Sequence, residues 1–299
     1  MSAIKNFPSR TNIIIAFAII YIVWGSTYFF NKVVIKEIPP FFSATIRFTT
    51  AGLLLFFITR LMKIPYKFTY NQFFNASKAG IFFLTLGNGG VVWALQHVDS
   101  GFTALIVSAQ PLVLIILMWL IDKNKISKRS LIGIVLGMTG IYLLTSETKI
   151  VTSSQYIIGV GVIFCCLILW AYGSIFVGKA DLPQNTFVNS SVQMISGGLL
   201  MAPISLLMDE PWTDSLNAGW FTWVSLFYLI TLGSVAAYSS FNFLLKYVSP
   251  EKVTTNTYVN PVVALILGSI FLNEPVTTRS VFASVILLAG VFVINTRKR

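Results

Sequence analysis

Two dipeptides, Gln110-Pro111 and Asn260-Pro261, each lie deep inside a long apolar run. A proline inside a helix removes one backbone donor and frees the carbonyl four residues earlier, here Val107 and Thr257. Freed carbonyls beside a carboxamide can hydrogen-bond a polar solute. Interrupted helices at matching positions of two halves point to a carrier's binding site, with a simple packing kink as the alternative. Tyr258 sits beside the second break. Other polar and aromatic groups fall at similar depth: Trp24, Tyr28 and Asn31, then Asn88 and Trp93, then Trp170 and Tyr172, then Tyr238 and Asn242. Together they would make a largely uncharged aromatic pocket for a small amphipathic solute such as an amino acid. For single aromatic residues an interfacial belt is the competing reading, and Trp119, Trp212, Trp220 and Trp223 are assigned to it. Arg47 is the one strongly charged residue clearly within an apolar run. It could bind a carboxylate or phosphate, snorkel to headgroups, or satisfy helix carbonyls.

Covalent chemistry has little to build on. The only histidine, His97, stands near Asp99 without a positioned serine or second histidine. Cys165 and Cys166 are adjacent, which suits helix packing better than a bridge or a metal. Gly87-Asn88-Gly89-Gly90 lies mid-run with no strand before it, so it is not a phosphate loop. The sequence therefore suggests no catalytic residue, metal or cofactor. No aspartate or glutamate lies deep in an apolar run. Facilitated transport, exchange, or coupling through a site not visible in the sequence is expected rather than proton coupling through a buried carboxylate.

The elements that must position these residues follow from composition. Hydrophobic residues make up 56% of the 299-residue chain and charged residues 10%, against about 25% charged in a soluble domain. A helix needs roughly 20 apolar residues to cross about 30 Å of hydrocarbon, and backbone groups cannot go unpaired there. The apolar runs place spans at 12–31, 41–60, 74–95, 101–121, 130–146, 155–177, 186–208, 219–244, 252–272 and 279–296. The expectation is an all-α polytopic membrane protein with ten transmembrane helices. The net charge of +11 comes from bases in short loops, so it reads as topology rather than as a nucleic-acid surface. With both ends cytoplasmic, only Lys32, Lys36, Lys149 and Arg279 fall outside, Arg47 falls in a span, and the other sixteen bases lie inside, as the positive-inside rule requires.

The halves also resemble each other. At an offset of 150, Pro111 meets Pro261, Arg129-Ser130 meets Arg279-Ser280 and Gly140 meets Gly290. At an offset of 146, Trp24 meets Trp170, Gly52-Leu53-Leu54 meets Gly198-Leu199-Leu200, and Thr85-Leu86-Gly87 meets Thr231-Leu232-Gly233. Five spans per copy would make these inverted repeats, 1–149 and 150–299, an architecture suited to alternating access.

The chain resembles the drug/metabolite transporter superfamily, in its ten-span class with two EamA-type halves. Trp24-Gly25-Ser26, the segment from Pro40 to Arg47-Phe48, the paired segments ending at Pro111 and Pro261, and Leu272-Asn273-Glu274-Pro275 carry that resemblance. The first half reads Ile121-Asp122-Lys123-Asn124 where the acidic turn would recur. The resemblance implies a secondary transporter, with export the expected direction, in a bacterial inner membrane. The partners expected are a small-molecule substrate and the bilayer, with the oligomeric state open and a monomer included. A membrane-embedded enzyme acting on a lipid or small substrate is the competing class, and a channel the third.

Overall fold

A computed structural model describes residues 8–123, 128–145, 153–253, 256–257 and 259–295. Among these residues the regular structure is entirely helical: α1 (Arg10–Val34), α2 (Pro40–Leu61), α3 (70–94), α4 (Ser100–Ile121), α5 (Lys128–Thr145), α6 (Ser154–Val177), α7 (Thr186–Leu207), α8 (Trp220–Tyr247), α9 (Asn260–Leu272) and α10 (Thr278–Asn295), with short helical turns at Thr213–Asn217 and Pro250–Val253. Six of these, α1, α2, α4, α6, α7 and α8, are long and apolar enough to cross a membrane. Apolar stretches in α5, α9 and α10 are shorter. The first turns of α3 carry Asn71, Gln72, Asn75, Ser77 and Lys78, which dilutes its hydropathy. Large apolar side chains such as Ile22, Phe57 and Phe227 stand exposed on the bundle surface, where lipid would cover them.

Several helices are irregular in their middles. The α4 helix stops at Val107 and restarts at Gln110, with Pro111 in the first turn of the second piece. The α9 helix likewise begins at Asn260-Pro261. In α3 and α8 the ladder widens to π-helix over Ile81–Asn88 and Leu229–Ala236, and each segment contains one copy of Thr-Leu-Gly.

Glycines let the halves cross closely. A Cβ on Gly52 of α2 would strike Ile195 and Met194 of α7, and one on Gly198 of α7 would strike Thr49 and Phe48 of α2. The α5–α10 pair repeats the arrangement: Gly140 abuts Leu287 and Ala283, and Gly290 abuts Gly133 and Gly137. Left-handed residues also pair at the sequence offsets, Lys63 with Asp209 and Lys123 with Asn273.

At one end of the bundle three glutamates cap helices of the other half. Glu37 accepts from Gly219 N at 2.8 Å and Thr222 Oγ1 at 2.5 Å, at the start of α8. Glu210 accepts from Phe41 N at 3.0 Å and Phe42 N at 2.8 Å, at the start of α2. Glu274 accepts from Ser100 N and Ser100 Oγ, both at 2.7 Å, and from Gly101 N at 3.1 Å, at the start of α4. None of these helices has a side-chain cap from its own N-cap residue. The carboxylates satisfy orphan donors and meet the positive pole of each helix dipole. Lys32 Nζ ties the same end together by donating to Leu95 O and Val98 O. At the opposite end Tyr66 OH donates to Ser191 Oγ at 3.1 Å, and Gln72 and Asn75 bond Asp181.

The bonds from Thr222 and Gly219 hold the Glu37 carboxyl below its ordinary value of 4.5. A group depressed on folding stabilises the folded state above its unfolded pKa, and the contribution is lost as pH falls through the folded value. Detergent-solubilised Glu37→Gln is therefore expected to melt below wild type at neutral pH. The gap should close as the pH falls through the lowered folded value, and a gap independent of pH would contradict the assignment.

Candidate functional site

An internal hollow of about 100 Å³ lies among α1, α2, α3, α4, α6, α8 and the residues leading into α9. Both π segments and both helix breaks border it. Leu84, Gly87 and Asn88 come from the first π segment and Gly233 from the second, while Val107, Gln110, Asn256, Thr257 and Asn260 come from the breaks. Irregular backbone inside a membrane bundle is tolerated where it lines a cavity or is buried in protein. Trp24 Nε1 donates to Gly233 O at 3.2 Å, and Cys166 Sγ contacts Leu86 O at 3.3 Å, so side chains from α1 and α6 satisfy carbonyls of the two π segments.

One wall is aromatic. Trp24 meets Trp170 edge-on at 6.0 Å, and Phe241 packs against both at 5.1 and 5.7 Å. Tyr238, 2% exposed, donates its hydroxyl to Gln193 Oε1 at 2.6 Å. The polar wall centres on Arg47, itself 3% exposed. Its Nε donates to Ser234 Oγ at 2.9 Å and its Nη1 to Asn31 Oδ1 at 3.2 Å, while its guanidinium carbon sits 4.6 Å from the Phe48 ring centre. Gln110 Nε2 donates to Leu167 O at 3.2 Å. Among the described residues the buried Oδ1 atoms of Asn88 and Asn260 have no hydrogen-bond partner.

Of the residues singled out in the sequence, the structure brings Trp24, Tyr28, Asn31, Arg47, Asn88, Gln110, Trp170, Tyr238 and Asn260 to this hollow. Three lie elsewhere. Tyr172 is 43% exposed on the outer surface against Phe82. Trp93 packs on His97 and the α4–α6 core. Asn242 bonds Ser190 and Gln193 and borders a second hollow of about 220 Å³, with Asp181, Asn189 and Lys246, at the end away from the glutamates. Tyr258 lies outside the described residues. Pro111 and Pro261 each stand in the first turn of the helix that follows a break. Sequence reasoning missed Gly233, Ser234 and Asn256. The doubled Thr-Leu-Gly was the available signal for Gly233 and its neighbour Ser234.

A helical bundle with an apolar exterior and broken helices around an internal polar and aromatic hollow belongs to the class of integral membrane transporters. Comparison with known proteins narrows the class. The profile of the EamA-like transporter family matches residues 11–146 and again 157–296. An Escherichia coli K12 relative described as the uncharacterized inner membrane transporter YedA is 33% identical over 253 residues, covering 84% of this chain and 79% of that protein. The Bacillus subtilis transporter YvbV is 25% identical over 99% of this chain and 95% of its own length, and protein PecM of Dickeya dadantii is 27% identical over 93% and 92%. A solved structure titled only as the crystal structure of a protein superposes with a TM-score of 0.70 at 16% identity, over 96% of this chain and 97% of that one, and shows the shared fold. The chain belongs to the EamA-like transporter family, within the drug/metabolite transporter class.

The placement of Asn88 inside and Tyr172 outside is open to labelling. With Cys165 and Cys166 replaced by serine, Asn88→Cys should react with a water-soluble methanethiosulfonate. Tyr172→Cys, facing hydrocarbon where a thiolate does not form, should not. Modification of the Tyr172 position alone would reverse the assignment.

Proposed function

We propose that the protein is a secondary transporter that exports a small amphipathic metabolite such as an amino acid, by alternating access through the central hollow. In this reading residues 1–149 and 150–299 are inverted five-helix repeats, ten spans in all, in a bacterial inner membrane with both termini cytoplasmic. The observation that carries it is that the hollow is bordered by both π segments and both helix breaks, one of each from either half. Matching glycine crossings, matching left-handed residues and the double family match support the repeats.

The orientation has its own support. Arg60, Lys63, Lys67, Lys78, Lys179 and Lys246 lie toward the end opposite the glutamate caps, which supports a cytoplasmic assignment for that end by the positive-inside rule. The second hollow opens there. Tyr238 of the central hollow and Asn242 of the second both bond the buried Gln193, so hydrogen-bonded side chains separate the two hollows, which supports a gate on the route between them in this reading.

The purified chain in liposomes preloaded with unlabelled L-amino acids should take up the labelled compound transiently and saturably. Linear, voltage-following current without saturation would favour a channel. Turnover of a solute without vectorial movement would favour an enzyme, and either result would overturn the proposal.

A further inference from the structure

The central hollow carries one formal charge that the protein itself does not neutralise. Among the described residues Arg47 is the only charged one on its lining, and none of the lining residues is an aspartate or glutamate. The two hydrogen bonds that hold the guanidinium go to neutral groups, Ser234 Oγ and Asn31 Oδ1. Among the described residues its Nη2 has no hydrogen-bond partner. A cation removed from water and paired with neutral acceptors is held at a substantial desolvation penalty, which an anion brought to the unused donor would offset. The three glutamates on the same side of the bundle are committed to helix N-termini.

The repeat sharpens the point. At the offset of 146 the position corresponding to Arg47 is Gln193, a neutral residue whose Nε2 donates to Asn189 Oδ1 and whose Oε1 accepts from Tyr238. The charge therefore belongs to one half only. Arg47 is about 10 Å along α2 from its glutamate-capped start at helical rise. Elsewhere on the lining, the Oδ1 atoms of Asn88 and Asn260 are buried without a hydrogen-bond partner among the described residues.

We infer that the hollow is a site for organic monoanions and zwitterions: a carboxylate lies on Arg47, the apolar body lies along Trp24, Trp170 and Phe241, and a donor group, where the solute has one, meets Asn260. One guanidinium balances one negative charge, so a dianionic phosphate ester is disfavoured and a lone organic cation is repelled. The inference rests on the transport reading for its purpose and on the geometry of the hollow for its chemistry.

The test uses the purified full chain and four probes of similar body: phenylacetate, phenylalanine, phenethylamine and phenyl phosphate. Binding is read by thermal shift and by quenching of the tryptophan emission to which Trp24 and Trp170 contribute, and movement by counterflow in liposomes. Phenylacetate and phenylalanine are expected to bind wild type, and phenethylamine and phenyl phosphate at least about tenfold more weakly, the scale of one charge-assisted hydrogen bond. Asn31→Asp sets a carboxylate of the protein's own against Arg47 Nη1. It should fold at least as well as wild type and lose about 10- to 100-fold of its affinity for phenylacetate. Arg47→Lys should keep the preference for carboxylates at reduced affinity. Phenethylamine binding as well as phenylacetate, no carboxylate binding at all, or undiminished phenylacetate affinity in Asn31→Asp would each overturn the inference. Counterflow of phenethylamine would sink the charge requirement while leaving transport standing. Arg47-dependent binding without any counterflow would leave the site standing and sink the transport reading.

Discussion

A backbone N–H or C=O that meets hydrocarbon without a partner costs several kcal/mol, so within a bilayer every departure from the helical ladder must be answered by protein or by water. The arrangement of this chain follows that constraint. The two π segments and the two helix breaks all border the same internal hollow, and each π segment turns one leucine, Leu86 or Leu232, to the apolar exterior. The indole of Trp24 satisfies Gly233 O, and the Cys166 thiol contacts Leu86 O. What begins as a demand on the main chain ends as a polar site, because the places where the ladder loosens are where a solute can find carbonyls and amides.

The same constraint governs the helix starts. Ser9, Thr69, Ser153 and Asn185 cap their own helices with local side-chain bonds. The starts of α2, α4 and α8 instead take Glu210, Glu274 and Glu37 from across the bundle. Close crossings at Gly52, Gly198, Gly140 and Gly290 bring the halves near enough for such long-range bonds to form. Small residues at helix crossings serve this purpose in lipid, where van der Waals contact has to do the work that hydrophobic burial does in water.

Much of the fold was legible in the sequence, because apolar run length and proline position act through local rules. Pro111 and Pro261 lack a donor wherever they stand, so the breaks could be located from residue type alone. The π segments could not: Ile81–Asn88 and Leu229–Ala236 have the composition of ordinary apolar helix, and only the doubled Thr-Leu-Gly marks them. Site membership was legible to the level of depth but not of direction. Trp170 and Tyr172 lie two residues apart on one helix, hence on nearly opposite faces, and only the first reaches the hollow. Ser234, the partner of Arg47 Nε, comes from 187 residues away, and no periodicity encodes that pairing. Glu274 was noticed as a turn residue, but its reach to Ser100 depends on tertiary packing.

Because the caps cross between halves, neither half carries all the groups its own helices need. During synthesis α2 emerges long before Glu210, which lies 168 residues beyond Phe42, and Ser100 precedes Glu274 by 174. The starts of α2 and α4 thus lack their caps in any product that ends before the second half, and only water could answer their free N–H groups there. Assembly is finished by the last third of the chain, and a truncated product would expose that incompleteness at one rim of the membrane.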